Sequence, residues 1–282
     1  MKTSICNEIF EGWSLEDTFR YISNLGYDGV EIAPFTISDD VRKVGREERA
    51  RIRESAASCG LEVVGIHWLL TKPEGLHISH PDEAVRRMTM LYLRELVRFA
   101  SEIGGRIMVF GSPKQRNILE GVPPEKAWEY AVEAFRDCSS LAEDFGVILA
   151  IEPLPKWTTN FINTAEEAIR LIEEVSNPNF RLHLDVFGML DEGRPLDEII
   201  RESRGYLAHF HVNDDNGLGP GFGGVDYGPI MEALRDIGYD GYLSVEVFDF
   251  SPGPEVIASR SLENLKKLLG ESTKRSRSRW KW

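Results

Sequence analysis

The feature that most constrains the fold is the alternation of short apolar runs with amphipathic stretches along the whole chain. Eight of the runs have the length of a buried strand, at residues 2–6, 29–33, 61–66, 105–110, 147–152, 180–185, 206–212 and 241–247. Strands that alternate with helices are typical of parallel sheets, whose faces are both covered by helices. The sequence therefore predicts an α/β fold with eight parallel strands.

Several of the intervening stretches carry the marks of a helix. Residues 82–103 repeat apolar side chains every three or four positions, which predicts one buried helix face. Ser14 stands three residues before Asp17, and Thr164 stands three residues before Glu167, a spacing typical of capped helix N-termini. We therefore expect helices to begin after Ser14 and after Thr164.

Two helix-to-strand junctions have nearly the same sequence, LGYDGVE from Leu25 and IGYDGYLSVE from Ile237, which indicates an internal βα repeat. A doubly wound sheet would need a glycine fingerprint after the first strand, and residues 6–12 contain none. No Pro/Gly/Ser-rich linker divides the chain. We therefore predict a single (β/α)8 TIM barrel as the catalytic domain over residues 1–270, followed by a basic, disordered tail over 271–282.

The charge balance argues against several classes of partner. The chain has 33 Lys and Arg against 46 Asp and Glu, and its net charge of −13 disfavours binding to nucleic acid and to anionic membranes. No apolar window approaches the roughly 18 residues of a membrane span, and the first residues lack a signal-peptide pattern. The three cysteines lack the spacing of a zinc or redox motif. We expect a cytoplasmic protein with reduced cysteines.

Four consecutive apolar strands end on a polar side chain. VILAIE ends on Glu152, FRLHLD on Asp185, YLAHFH on His211 and YLSVE on Glu246. The C-terminal strand ends of a parallel barrel surround its active site, and three converging carboxylates need a cation to offset their repulsion. Oxygen-rich ligation with one nitrogen favours Mn²⁺, with Mg²⁺, Co²⁺ or Zn²⁺ as alternatives. His183, two residues before Asp185, is expected on the same inward side, one layer lower.

At these residues the sequence resembles the xylose-isomerase-like TIM-barrel superfamily of sugar isomerases and epimerases, and most of all the ketose 3-epimerases. The resemblance covers roughly residues 2–269. Its most specific segments are IEPL at Glu152, FINTAEEA at 161–168, HLDVFGM at Asp185, HFHVND at His211, GPGFGGVDYGPI and SVEVF at Glu246.

The resemblance implies a metal site and an acid/base pair. Glu152, Asp185, His211 and Glu246 would hold one divalent ion, and the two glutamates would exchange a proton with carbon on opposite faces of a small sugar or sugar-derived ketone. Glu31 and His67 would contact substrate hydroxyls or a proton relay, while Trp68 and Trp157 follow strands 3 and 5 and would wall the pocket, as Trp13 and Phe35 would after strands 1 and 2. Barrels of this kind often pair, so a homo-oligomer is compatible with the sequence.

The sequence also departs from the ketose 3-epimerase pattern. Three positions that usually carry substrate-contacting side chains are Thr158, Gly188 and Gly217 here. Aldose–ketose isomerisation and dehydration of a cyclic ketose use related chemistry and stay open. A zinc-dependent endonuclease of the same barrel type would need extra histidines near 111 and 188, and both positions are glycine. Lys114 and Arg116, after strand 4, are interpreted as surface charges, and a barrel that only binds a metabolite is a further alternative.

Overall fold

The eight predicted strands close into a barrel. The computed structural model describes residues 1–270, and the predicted tail at 271–282 lies outside the described residues. Every strand pairs in parallel with its sequence neighbours, and the first pairs with the last, which confirms the single (β/α)8 TIM barrel. The strands are β1 (Lys2–Cys6), β2 (Gly29–Ile32), β3 (Glu62–Ile66), β4 (Ile107–Phe110), β5 (Ile148–Ile151), β6 (Phe180–Asp185), β7 (Leu207–Val212) and β8 (Tyr242–Val245).

Helices surround the barrel and follow the predicted starts. The amphipathic stretch 82–103 forms a helix from Glu83 to Glu102, and both Ser14 and Thr164 accept a backbone N–H at the start of a helix. Among the described residues the α-helices are α1 (Leu15–Leu25), α2 (Arg46–Ser58), α3 (Glu83–Glu102), α4 (Pro124–Phe145), α5 (Ala165–Val175), α6 (Val186–Leu190), α7 (Leu196–Glu202), α8 (Tyr227–Asp236) and α9 (Pro254–Leu268).

The apolar core has two parts. The larger part lies between the outer faces of the strands and the helices, and it is the main source of stability because its side chains leave water almost completely. A small cluster of Val64, Ile107, Val109 and Ala150 is separate from it. Side chains alternate along a strand, so Ala150 lies on the same face of β5 as Glu152 and two residues below it. This cluster therefore fills the barrel beneath the polar strand ends.

Two register shifts lie beside polar residues of the barrel interior. One falls between Val30 and Glu31, where β2 pairs with β3, and the other between Leu182 and His183, where β6 pairs with β7. Such irregularities change the direction in which the following side chain points. Within residues 1–270, no helix combines the length and apolar character that crossing a membrane would require.

Candidate metal centre and active-site cavity

The four polar strand ends meet at one point above the barrel interior. Glu152, Asp185, His211 and Glu246 are all buried, and each offers a ligand atom within 4.8 Å of the others'. They come from β5, β6, β7 and β8, so the closed barrel brings together residues that are almost a hundred positions apart in sequence. Three carboxylates and one imidazole at this separation form a donor set suited to a divalent cation.

Burial and the charges of neighbouring side chains shift the pKa values of Glu152, Asp185 and His211. Burial, together with repulsion from Glu246 and Asp185, raises the pKa of Glu152 well above its usual range. Burial and the charge of Glu246 raise the pKa of Asp185 to about 7. Burial opposes a charge on His211, but Glu31 and Glu246 together raise the pKa of its imidazole. A divalent cation bound among these groups would favour the ionised forms of the carboxylates.

Asp185 is held by two hydrogen bonds. Its Oδ1 accepts the backbone N–H of Gly188 at 2.8 Å, so the carboxylate also caps α6. Its Oδ2 accepts the Nδ2–H of Asn213 at 2.6 Å, and the Oδ1 of that amide accepts the N–H of Phe187 at 2.8 Å. Sequence reasoning did not single out Asn213, although it lies two residues after His211 and therefore points to the same side of the chain.

Glu31 lies beneath His211 and fixes its ring. His211 Nε2 is 3.2 Å from both carboxylate oxygens of Glu31, while Nδ1 is 3.0 Å from Glu246 Oε2. Glu31 also accepts from His209 Nε2 at 2.7 Å and from Ser244 Oγ at 2.9 Å. Burial opposes ionisation of Glu31, but His211 and His209 hold its pKa well below the usual range. A carboxylate is therefore retained at a fully buried position.

Of the other residues predicted to contact substrate, His67 lines the cavity, whereas Glu31 and His183 do not. His67 lines the cavity, and its Nε2 is 2.8 Å from Oε2 of Glu8, a buried residue just after β1 that sequence reasoning missed. Glu31 and His183 are fully buried and do not line the cavity, so their side chains lie below the surface that a ligand would touch. His183 Nε2 is 3.9 Å from Glu152 Oε1. Burial and the neighbouring His211 and His209 lower its pKa well below the usual value.

Arg116 is not the surface charge that the sequence suggested. Its side chain is fully buried, and its guanidinium donates to the backbone carbonyls of Glu152 at 2.7 Å and Ile162 at 2.9 Å. The interpretation was wrong because the loop after β4 brings Arg116 against the end of β5, where its guanidinium bonds the main chain of Glu152. The neighbouring Lys114 is exposed, as expected.

A cavity of about 620 Å³ opens above the four groups. Trp68, after β3, and Trp157, after β5, line the cavity, and Trp157 is 70% exposed at its rim. An aromatic row runs from Trp157 through Phe187 to Phe248, with ring centroids 6.1 and 5.3 Å apart. The positions that depart from the ketose 3-epimerase pattern, Thr158, Gly188 and Gly217, all lie in the cavity wall. The cavity has the size and mixed lining of a small-molecule site.

The glycines at 111 and 188 leave little space for additional metal ligands. A Cβ on Gly111 would overlap Oε2 of Glu152, and a Cβ on Gly188 would lie 3.1 Å from the carbonyl oxygen of Pro153. A histidine at position 111 would therefore require the Glu152 carboxylate to move. The extra histidines that the endonuclease alternative needs are absent at both positions.

The closed barrel and the acid-rich centre at its C-terminal strand ends define a class, the TIM-barrel proteins with a candidate divalent-metal site. The profile of the xylose isomerase-like TIM barrel family matches residues 19–268, which are most of the chain. The chain therefore belongs to this family, as the sequence motifs indicated.

Several proteins with similar sequences are named as sugar epimerases. The D-psicose 3-epimerase of Enterocloster bolteae is 31% identical over 234 residues, covering 82% of this chain and 76% of that protein. The fructoselysine 3-epimerase of Shigella flexneri is 25% identical and covers 96% of this chain and 99% of that protein. A crystal structure of D-psicose 3-epimerase with D-fructose present superposes with a TM-score of 0.84 at 23% identity, over 96% of this chain and all of that one.

Proposed function

We propose that this protein is a sugar epimerase that depends on one divalent metal ion, and that it inverts the carbon next to the carbonyl of a ketose. The observation that carries the proposal is the pair Glu152 and Glu246, buried together with Asp185 and His211 at the floor of a sugar-sized cavity. The names of the relatives support the reaction class, since psicose and fructoselysine 3-epimerases are among them.

The four residues fit a divalent cation on the chemistry of their atoms. Burial and mutual repulsion raise the pKa values of Glu152 and Asp185, and a nearby cation would offset that repulsion. The donor set of carboxylates with one imidazole suits Mn²⁺, Mg²⁺ or Co²⁺. Glu31 would accept the Nε2–H of His211, which leaves the Nδ1 lone pair for the ion, the arrangement usual for metal-binding histidines. A bound cation would polarise the substrate carbonyl and offset the negative charge that develops on its oxygen.

The two glutamates would move the proton. One carboxylate takes the proton from the carbon beside the carbonyl, and the electron pair of the broken C–H bond passes into the carbonyl system as an enediolate. The other, protonated glutamate returns a proton to the opposite face of the same carbon, which inverts it. Glu152 and Glu246 suit these roles because both are about 95% buried and line the cavity, so each carboxyl can transfer a proton directly to or from the substrate carbon.

The remaining residues would bind and orient the substrate. His67, fixed by Glu8, and Trp68 and Trp157 in the cavity wall are our candidates for contacts with sugar hydroxyls and with the apolar face of the ring. Glu31 and His183 are assigned to positioning instead of substrate contact, because neither side chain reaches the cavity.

The test is proton exchange at carbon. Full-length protein loaded with Mn²⁺ is incubated in D₂O with D-fructose, D-psicose, D-tagatose or L-ribulose, and the sugars are followed by NMR. We expect deuterium at C3 together with the C3 epimer. Deuterium at C1 or C2 with an aldose product would identify an isomerase instead, and loss of water would identify a dehydratase.

Two variants test the assignment of the acid and base. Glu246→Gln and Glu152→Gln should keep the fold, as judged by circular dichroism, and lose C3 exchange by several orders of magnitude, because an amide cannot exchange the proton. Glu47→Gln, an exposed change of the same kind on α2, is the matched control. A Glu246→Gln variant with wild-type exchange would remove that residue from the mechanism.

A further inference from the structure

A second cavity lies beside the active-site cavity. It has a volume of about 900 Å³ and is lined by residues of the first turns of α1 and by one side of α2. The two cavities share three wall residues, Glu8, Trp68 and Phe250. Each cavity falls in the size range that encloses a small ligand, so the two together offer more space than a single free ketose fills.

The wall of this groove, which we call the α1–α2 groove, is rich in aromatic rings. Phe10, Trp13 and Phe35 join Trp68 and Phe250 in its lining. The rings of Phe10 and Trp13 are 5.4 Å apart, and Phe35 is 36% exposed, so its ring is partly available for contact. Flat, partly exposed aromatic rings can pack against the C–H face of a sugar ring while its hydroxyls stay hydrogen-bonded at the edge.

Among the described residues, the boundary between the two cavities includes one hydrogen-bond acceptor and one hydrogen-bond donor that have no partner. Within residues 1–270, Oε1 of Glu8 and Nε1 of Trp68 are buried and have no hydrogen-bond partner. Glu8 is itself 6% exposed, and its other oxygen is held by His67 at 2.8 Å. Unsatisfied buried groups of this kind call for an explanation, and a hydroxyl can both donate to the carboxylate and accept from the indole. An ammonium group could satisfy only the carboxylate.

The charge of the groove disfavours an anionic ligand. Its wall carries Glu8, Glu11, Glu16 and Glu48 against a single basic residue, Arg51. In the part of the chain that the structure describes, Glu11, Glu16 and Glu48 form no ion pair that would offset their charge. A phosphate or carboxylate in the groove would therefore be repelled.

We propose that the α1–α2 groove is a subsite for a second sugar ring, so that the substrate is an uncharged ketose joined to another hydroxylated ring. This inference rests on the proposed epimerase function and names its substrate class. The ketose unit would lie over Glu152 and Glu246, the link would pass Glu8 and Trp68, and the second ring would pack on Phe35 and Trp13.

The test compares substrates on the full chain loaded with Mn²⁺. The substrates are D-fructose, its 4-O- and 6-O-glucosyl derivatives maltulose and isomaltulose, and D-fructose 6-phosphate, and the measure is kcat/KM for C3 proton exchange. We expect at least one disaccharide to exceed fructose about tenfold, as a further stacked ring contributes roughly 1 kcal/mol or more. The phosphate should be the poorest substrate.

Phe35→Ala tests the subsite directly, because Phe35 lines the α1–α2 groove and not the active-site cavity. The ratio of kcat/KM for the disaccharide over fructose should fall about tenfold. Leu91→Ala, which truncates an exposed apolar side chain on α3, is the matched control and should leave the ratio at its wild-type value. Ser55→Trp, which fills the groove from α2, is a second variant that should lower the same ratio.

The outcomes separate this inference from the proposed function. Exchange on free ketoses with no gain for either disaccharide, or with a preference for the phosphate, would overturn the subsite and leave the epimerase intact. A wild-type ratio in both Phe35→Ala and Ser55→Trp would overturn the subsite as well. Absence of exchange on every sugar tested would instead contradict the epimerase itself.

Discussion

Glu31 shows what a single buried charge contributes to this site. It is fully buried, yet two histidines and a serine hydroxyl compensate its charge, and His211 is held between it and Glu246. A carboxylate behind a histidine fixes the ring and makes its free nitrogen a better ligand. These contacts support the proposal that Glu31 positions the ring of His211.

Replacement of Glu31 tests this role. Glu31→Gln should weaken Mn²⁺ binding by about 10- to 100-fold, because the amide keeps the shape but loses the charge that orients His211. Isothermal titration of the metal-free protein measures the affinity, and Glu47→Gln serves as the control for the same change in net charge. Unchanged affinity in Glu31→Gln would contradict the positioning role.

Arg116 supports the main chain of Glu152. Arg116→Met should lower the free energy of unfolding by about 3 kcal/mol, because two backbone carbonyls would lose their charged donor in a dry environment. Urea denaturation measures the loss, and exposed Lys114→Met, two residues away, should change stability by less than about 0.5 kcal/mol. Equal stabilities of the two variants would show that the buried guanidinium is dispensable.

At the scale of secondary-structure elements, one residue of the site belongs both to the end of a strand and to the start of the next helix. Asp185 ends β6, caps α6 and belongs to the candidate metal centre, so one carboxylate links the strand, the helix that follows and the site. The register shifts in β2 and β6 precede Glu31 and His183 directly. Local irregularities of the barrel thus affect the direction of side chains that lie next to the candidate metal centre.

The raised pKa of Asp185 gives a pH dependence in the metal-free protein. Its folded pKa of about 7 lies above the usual 3.8, so the folded state binds the proton more tightly and this contribution to stability is lost as the pH rises from 5 to 8. Relative to Asp185→Asn, which cannot titrate, wild-type protein should lose about 2 kcal/mol of unfolding free energy over this range. Urea denaturation at both pH values measures the difference, and a constant difference would contradict the shift.

At the scale of the whole molecule, one bound ion would join four consecutive strands. Its ligands come from β5 to β8, half of the closed barrel, and the unfolded chain would have no such site. A ligand that binds only the folded state stabilises it in proportion to the logarithm of its concentration.

Metal removal should therefore lower the melting temperature. After removal of metal with a chelator, Mn²⁺ at about 100 times its dissociation constant should add about 2.7 kcal/mol, or roughly 5–10 °C in Tm for a chain of this length. Differential scanning calorimetry measures the change. Asp185→Asn should show a much smaller shift, and an equal shift in that variant would place the ion elsewhere.

The sequence by itself determined the barrel and the four residues at its strand ends. The signals for both are local: the periods of strands and helices, the capping residues and the polar residues that end consecutive apolar runs. A parallel barrel then places the C-terminal ends of all its strands at one mouth. Only the tertiary structure decided the surroundings of those residues. Four features of the surroundings involve residues far apart in sequence: the burial of Arg116, the contact of Glu31 with His211, the Glu8–His67 pair and the α1–α2 groove. Their positions depend on register shifts and loop paths that no local pattern encodes.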